Sequence, residues 1–185
     1  MSHPIPPEAF QKALSLIDAA NAQDPNLDGG APKELRYGER MSDMLSRYAP
    51  EADATLQLAV RAQHIERWRV PRSSYPMDKS GYHRWRIGLY GFHASRTREL
   101  LLAAGVPADE AERAAAAVGK RNLQTSSDTQ CVEDVAGLVF IEHYMADFAA
   151  QKAEYSEEKW IGIIAKTWQK LSPEAHAFAL SGKLN

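Results

Sequence analysis

Apolar residues recur three and four positions apart along almost the whole of this chain, and no run of alternating β-branched and polar residues interrupts them. The first pattern turns one face of a helix toward a core, and the missing second pattern removes an extended sheet as the alternative. Pro6 and Pro7 open a first helix to about Ala22, with Phe10, Ala13, Leu14, Ile17 and Ala20 on one stripe. The turn-forming stretch from Asp24 to Gly30 breaks it. Pro32 starts a second helix to about Tyr48, striped by Tyr37, Met41, Met44, Leu45 and Tyr48, and Pro50 closes it. A third helix is predicted from Glu51 to about Trp68, followed by a loop marked by Pro71, Ser73, Ser74 and Pro76. A fourth runs from Gly81 to about Ala104, with Gly105 where a left-handed C-terminal residue is expected. Asp109 to about Asn122 is alanine-rich and a strong helix former. After the polar loop Gln124 to Gln130, an amphipathic helix spans Cys131 to about Lys152. Another covers about Ser156 to Leu171, and a short one starts at Ser172. The expectation is an all-α, single-domain bundle over residues 1–185, with about seven to eight helices.

A chain of 185 residues makes one core that buries roughly 70% of its unfolded surface, with no need of staples. Cys131 is the only cysteine, so an intramolecular disulfide and a cysteine-rich zinc module are both excluded, and a reducing compartment fits. The first residues lack the basic flank and apolar run of a secretory signal, and no stretch approaches the roughly 18 apolar residues of a membrane span. A soluble, cytoplasmic protein without a membrane partner is expected. The net charge is −2, yet Arg61, Arg67, Arg69, Arg72, Lys79, Arg84, Arg86, Arg96 and Arg98 are opposed in their own stretch only by Glu66 and Asp78. Such a segment is either a local anion site or a face of solvated and paired arginines.

Three polar residues stand where the helical stripes call for apolar ones. His64 follows Leu56, Ala59 and Val60; His93 shares a stripe with Leu89, Tyr90, Ala94, Thr97 and Leu101; Glu142 sits among Leu138, Val139, Met145 and Ala146. An imidazole or carboxylate buried without a partner costs roughly 2 to 7 kcal/mol, so each must meet another such group, a bound ion or water. As a set, His64, His93 and Glu142 can hold a divalent ion (Zn, Mn or Fe) as two histidines and one carboxylate. Each has a plainer explanation: His64 as a core histidine bonded to a backbone carbonyl, His93 at a surface groove, and Glu142 in a buried pair with Arg67 or Lys120. His143, one step round the helix from Glu142, falls at the edge. The stretch Tyr82, His83, Arg84, Trp85, Arg86 can stack a base or clamp a phosphate, or it packs Trp85 inward and leaves both arginines exposed. Asp18 and Asn21 face the site or lock the loop after the first helix.

The segments Ile17 through Asn26, Lys33 to Tyr37, Ala62 to Trp68, Gly91 to Ala94, Lys120 to Asn122 and Glu133 through Tyr144 resemble the family called domain of unknown function 4202, over nearly the whole chain. That resemblance implies no activity. No nucleotide-binding motif of the synthetase type occurs, and the chain has no room for a synthetase fold.

The order of helices and histidines also resembles the HD superfamily of metal-dependent phosphohydrolases. There, His64 takes the place of the paired histidine, His93 that of the following one and Glu142 that of the final aspartate. Tyr37 and Ile65 stand where two further ligands belong. Glu66 joins the site only if its helix unwinds, since a helix sets successive residues about 100° apart. The resemblance implies a metal-dependent phosphohydrolase acting on a nucleotide or small phosphorylated metabolite, with Glu66 and Glu142 as catalytic carboxylates. Arg67, Arg72, Arg84, Lys120 and Asn122 would hold the substrate. The alternative is a catalytically degenerate domain that binds an anion, a nucleotide, RNA or a protein partner.

Overall fold

The computed structural model describes residues 3–184. Helix α1 (Pro7–Asn21) carries a proline in its first turn, where a missing N–H costs no hydrogen bond. Two strands of two residues follow, β1 (Leu27–Asp28) and β2 (Ala31–Pro32), paired antiparallel. Gly29 and Gly30 join them with φ of 55° and 84°, the doubly left-handed turn that closes a two-residue hairpin. The pair is too short to leave a period-two signal in the sequence. Helix α2 (Lys33–Tyr48) begins directly after it.

Helix α3 (Ala54–Arg61) is capped by Asp53, whose side chain accepts from the Leu56 N–H. It ends well before Trp68. The Glu66 N–H donates instead to Asn21 Oδ1 at 2.9 Å, and Glu66 takes a left-handed φ of 48°. A tertiary hydrogen bond thus replaces a helical one, and His64 lies in an irregular turn rather than on a helix.

Helix α4 (Lys79–Ala104) starts at the Asp78 cap and stops at Gly105, whose φ of 89° fits the left-handed C-terminal position. Helix α5 (Ala108–Val118) packs along it through an alanine face that includes Ala111, Ala114 and Ala115. The amphipathic stretch after the next loop forms three pieces. They are α6 (Ser127–Val139), a π turn (Phe140–Tyr144) and α7 (Met145–Gln151). A π turn holds one residue more than an α turn, so side chains after it change phase relative to Leu138 and Val139. Helices α8 (Glu157–Trp168) and α9 (Pro173–Leu180) complete the chain. Nine α-helices among the described residues exceed the expected seven to eight largely because that stretch divides.

The core is one cluster. Ile17, Met41, Met44, Leu58, Ile65, Leu101 and Leu138 are fully enclosed at its centre. Helix α6 packs against α2, α3, α5 and α9, and α1 against α2, α3 and α4. The arm made of α7 and α8 differs: among the described residues, neither helix has a fully buried side chain. No helix among them is long and apolar enough to cross a membrane.

Candidate functional site

A cavity of about 1060 Å³ opens between the α2–α3–α4 side of the bundle and the arm. His64 forms its inner wall. The Tyr37 ring from α2 stacks on the imidazole with centroids 3.9 Å apart and planes 10° from parallel. One turn earlier on α2, Glu34 places a carboxylate oxygen 3.3 Å from His64 Nδ1. Arg67 Nη1 lies 3.1 Å from His64 Nε2. A guanidinium has donors only, so Nε2 accepts, and a neutral ring carries its proton on Nδ1 toward Glu34. Burial holds the His64 pKa well below its ordinary value, helped by Arg67, Lys120, Lys33 and Arg86.

His93, from the middle of α4, stands beside it with ring centroids 5.9 Å apart. It is 3% exposed, and its pKa falls to about 2 through burial, then through His64, Arg67 and Lys120. His93 Nε2 and Gln63 Oε1, both on residues lining the cavity, are buried atoms without a hydrogen-bond partner among the described residues. Burial pushes the Glu34 carboxyl up to about 7, against the pull of Arg67 and Lys33. The Glu34 N–H donates to Asp24 Oδ2 at 3.1 Å, so the turn before the hairpin anchors the start of α2.

Two arginines in the cavity make no ion pair among the described residues. Arg40, Arg47, Arg61, Arg96 and Arg113 each meet a carboxylate within 3.0 Å. Among the described residues Arg67 and Arg86 do not. Arg67 lies over the Trp85 ring at 5.0 Å, while the Trp85 indole donates to the Val70 carbonyl at 2.9 Å. Arg86 donates to the hydroxyls of Tyr82 and Tyr90 at 3.2 and 3.1 Å. Trp85 therefore packs as one reading expected, yet Arg86 faces the cavity and only Arg84 stays exposed. Lys120, with a left-handed φ of 55°, pairs with Glu133 and sits 5.2 Å from the Tyr90 ring centroid.

Of the residues singled out from the sequence, His64, His93, Arg67 and Lys120 come together here. Glu142, Glu66, Arg72, Arg84 and Asn122 are not among the lining residues. Glu142 is buried and ion-paired, but its partner is Arg47, not Arg67 or Lys120; the two guanidinium nitrogens approach its oxygens at 2.7 and 3.1 Å. His143 Nε2 adds a contact at 3.0 Å from the cavity rim. Glu66 is held by Arg96 and Arg69 at 2.6 and 3.2 Å. Arg72 donates to the carbonyls of Tyr75 and Asp78, and Asn122 is exposed in a left-handed turn. Asp18 pairs with Arg61 and Asn21 captures Glu66, so both lock structure.

The two-histidine, one-carboxylate centre does not fit this arrangement. Glu142 is committed to Arg47, both ring nitrogens of His64 face other side chains, and the charges acting on both histidines are cationic. Among the described residues no three His, Cys, Asp or Glu side chains are grouped to hold a metal ion. What the sequence reading missed is Glu34. It lies three residues before Tyr37 and seven before Met41, on the same apolar stripe, which is the signal that singled out Glu142.

A family model described as "Domain of unknown function (DUF4202)" matches residues 11–185. No curated protein and no solved structure matches the chain.

Proposed function

Since the chain belongs to the DUF4202 family, whose description carries no activity, we propose from the cavity itself that it binds a small phosphorylated ligand of about nucleotide size. The observation that carries this reading is the pair Arg67 and Arg86, which reach the cavity without an ion pair among the described residues, Arg67 feeling Glu34 only at longer range, while neighbouring arginines are neutralised. A partly buried guanidinium gains most from a counter-ion, and its planar fork suits phosphate oxygens. Neutral His93 adds an unpartnered ring nitrogen able to donate to an oxyanion. The volume is at the upper end of the roughly 300 to 1,000 Å³ usual for small-molecule sites, and Tyr82, Tyr90 and Tyr144 offer rings to a base or sugar.

Calorimetric titration with inorganic phosphate and with nucleoside monophosphates tests this. Arg67→Met and Arg86→Met should each weaken binding about 10- to 100-fold, in line with the loss of one charged hydrogen-bonding partner. Wild-type protein that binds none of these anions sinks the proposal. Hydrolysis of the bound phosphoester is the second reading, supported by Glu34 beside His64, and phosphate release from the bound monophosphate checks it. Metal assistance, which the phosphohydrolase resemblance implies, has its own test in elemental analysis of wild-type protein, His64→Ala and Glu142→Ala. A stoichiometric metal lost in both variants would restore the metal centre. RNA binding instead predicts a steep fall of affinity with salt.

A further inference from the structure

Helix α8 is half-buried along Trp160, Ile163 and Trp168, and it brings Lys166 to the edge of the cavity, with Lys170 just past its end. Ile161 and Ile164 are 60% and 47% exposed, while Lys166 and Lys170 are among the residues that line the cavity. The cavity-lining residues Ile163, Lys166 and Thr167 lie on one face of α8, and Lys170 lines the same cavity from the turn that follows the helix. Both lysines are solvent-exposed as well as cavity-lining, so they stand where the cavity meets water. Neither lysine has an ion pair among the described residues, although Asp147 of α7 lines the same cavity.

We propose that Lys166 and Lys170 form a second anion subsite on the arm, facing the wall that carries Arg67 and Arg86, and that the natural ligand bears anionic groups at both ends. This rests on the phosphate-binding reading of the same cavity and deepens it. Three features support it together. The cationic groups are divided between two walls built from different helices. Phe140, Phe148, Ile163 and Leu171 lie on the arm's side of the cavity and suit an uncharged middle. The arm lacks buried side chains, so a ligand bridging both walls adds contacts that hold it in place. The substrate class is then a small bisphosphate, with two phosphates separated by a sugar or nucleoside.

Inorganic phosphate and a nucleoside 3′,5′-bisphosphate separate the two levels of the proposal. Wild-type protein should bind the bisphosphate at least tenfold more tightly than phosphate. The double variant Lys166→Ala/Lys170→Ala should lose that advantage, with phosphate binding changed less than twofold. Both lysines are exposed, Lys166 on α8 and Lys170 in the turn after it, and an unchanged thermal unfolding midpoint confirms that the variant folds. Hydrogen exchange in residues 145–168 should slow with the bisphosphate and not with phosphate. A bisphosphate bound no tighter than phosphate overturns the second subsite and leaves the first, as does an equal loss for both ligands in the double variant. No binding of either anion by the wild type overturns both.

Discussion

The two walls of the cavity are both helical, yet different physics holds them. The inner wall is backed by the core: Tyr37, stacked on His64, shares α2 with enclosed Met41 and Met44, and His93 shares α4 with enclosed Leu101. The arm has less backing: neither of its helices has a fully buried side chain, and the end of α8 meets the core through half-buried Trp168, stacked on His176 at 4.2 Å. It is held by its own rings, with Phe148 against Trp160 at 5.5 Å and Tyr155 against Trp160 at 5.8 Å. It is also tied by the Glu142–Arg47 pair at its base and by Leu171 lying close over Gly137. The buried unpartnered groups sit where position is over-determined, whereas the arm carries its unpaired lysines exposed and is the wall free to yield.

The strongest way to break this comparison is to remove equal amounts of hydrocarbon from each side. Leu138→Ala, at a fully enclosed position of α6, should cost about 3 kcal/mol, within the range of buried leucine truncations. Ile161→Ala on the arm should change stability by less than about 0.5 kcal/mol. Urea unfolding measures both, and similar losses would show that the arm is an integral part of the core. Next in size is Glu142→Ala. It leaves Arg47 without its buried partner, although Asp43 still pairs with that arginine at 3.0 Å, so a cost of about 2 kcal/mol is expected. The same variant should raise protease cleavage within residues 145–168, since the pair ties the base of the arm to α2. A stability loss without faster cleavage would place the role of Glu142 in the core alone.

The same division explains how much was legible in the sequence. Helices bounded by local proline or glycine signals and carrying a clear stripe were readable: α1, α2 and α4 begin and end within a few residues of the expected places, and Gly105 stops α4 as anticipated. The elements that were not readable depend on partners far along the chain. Helix α3 stops early because Asn21 captures the Glu66 N–H across 45 positions, and no local pattern encodes that bond. The π turn hides inside a stretch whose apolar spacing reads as one continuous helix, although the extra residue changes the phase of the side chains after it. In the site, periodicity said correctly that His93 and Glu142 point inward but not which neighbour each meets. Helix phase gives a direction within one element, whereas Arg47 reaching Glu142 depends on how α2 lies across the chain's second half. Glu34 was missed for another reason. At a helix start, an acidic residue reads as ordinary dipole compensation, and only its burial exposes the cost.

The smallest effect, and the one that isolates the inner wall, is the pH dependence of stability. His64 and His93 stay neutral in the folded protein far below the ordinary 6.5, so the unfolded chain binds protons there that the folded one refuses. Each then lowers stability as pH falls below 6.5, by about 1 kcal/mol per pH unit once the unfolded ring is protonated. Glu34 runs the other way. Raised from 4.5 to about 7, it holds a proton in the fold that the unfolded chain releases, so its contribution is present below 4.5 and is lost as pH rises toward 7. Between 4.5 and 6.5 two groups favour higher pH and one opposes them, leaving a net loss of about 1 kcal/mol per unit of acidification. His93→Gln should flatten this slope, because His64 and Glu34 then nearly cancel. Glu34→Gln should steepen it, because the opposing group is gone. Urea midpoints at several pH values across that window read the slopes directly. Variants that shift them in the same direction would show that Glu34 and the histidines do not share one buried electrostatic environment, and with that the inner wall would lose the feature that sets it apart from the arm.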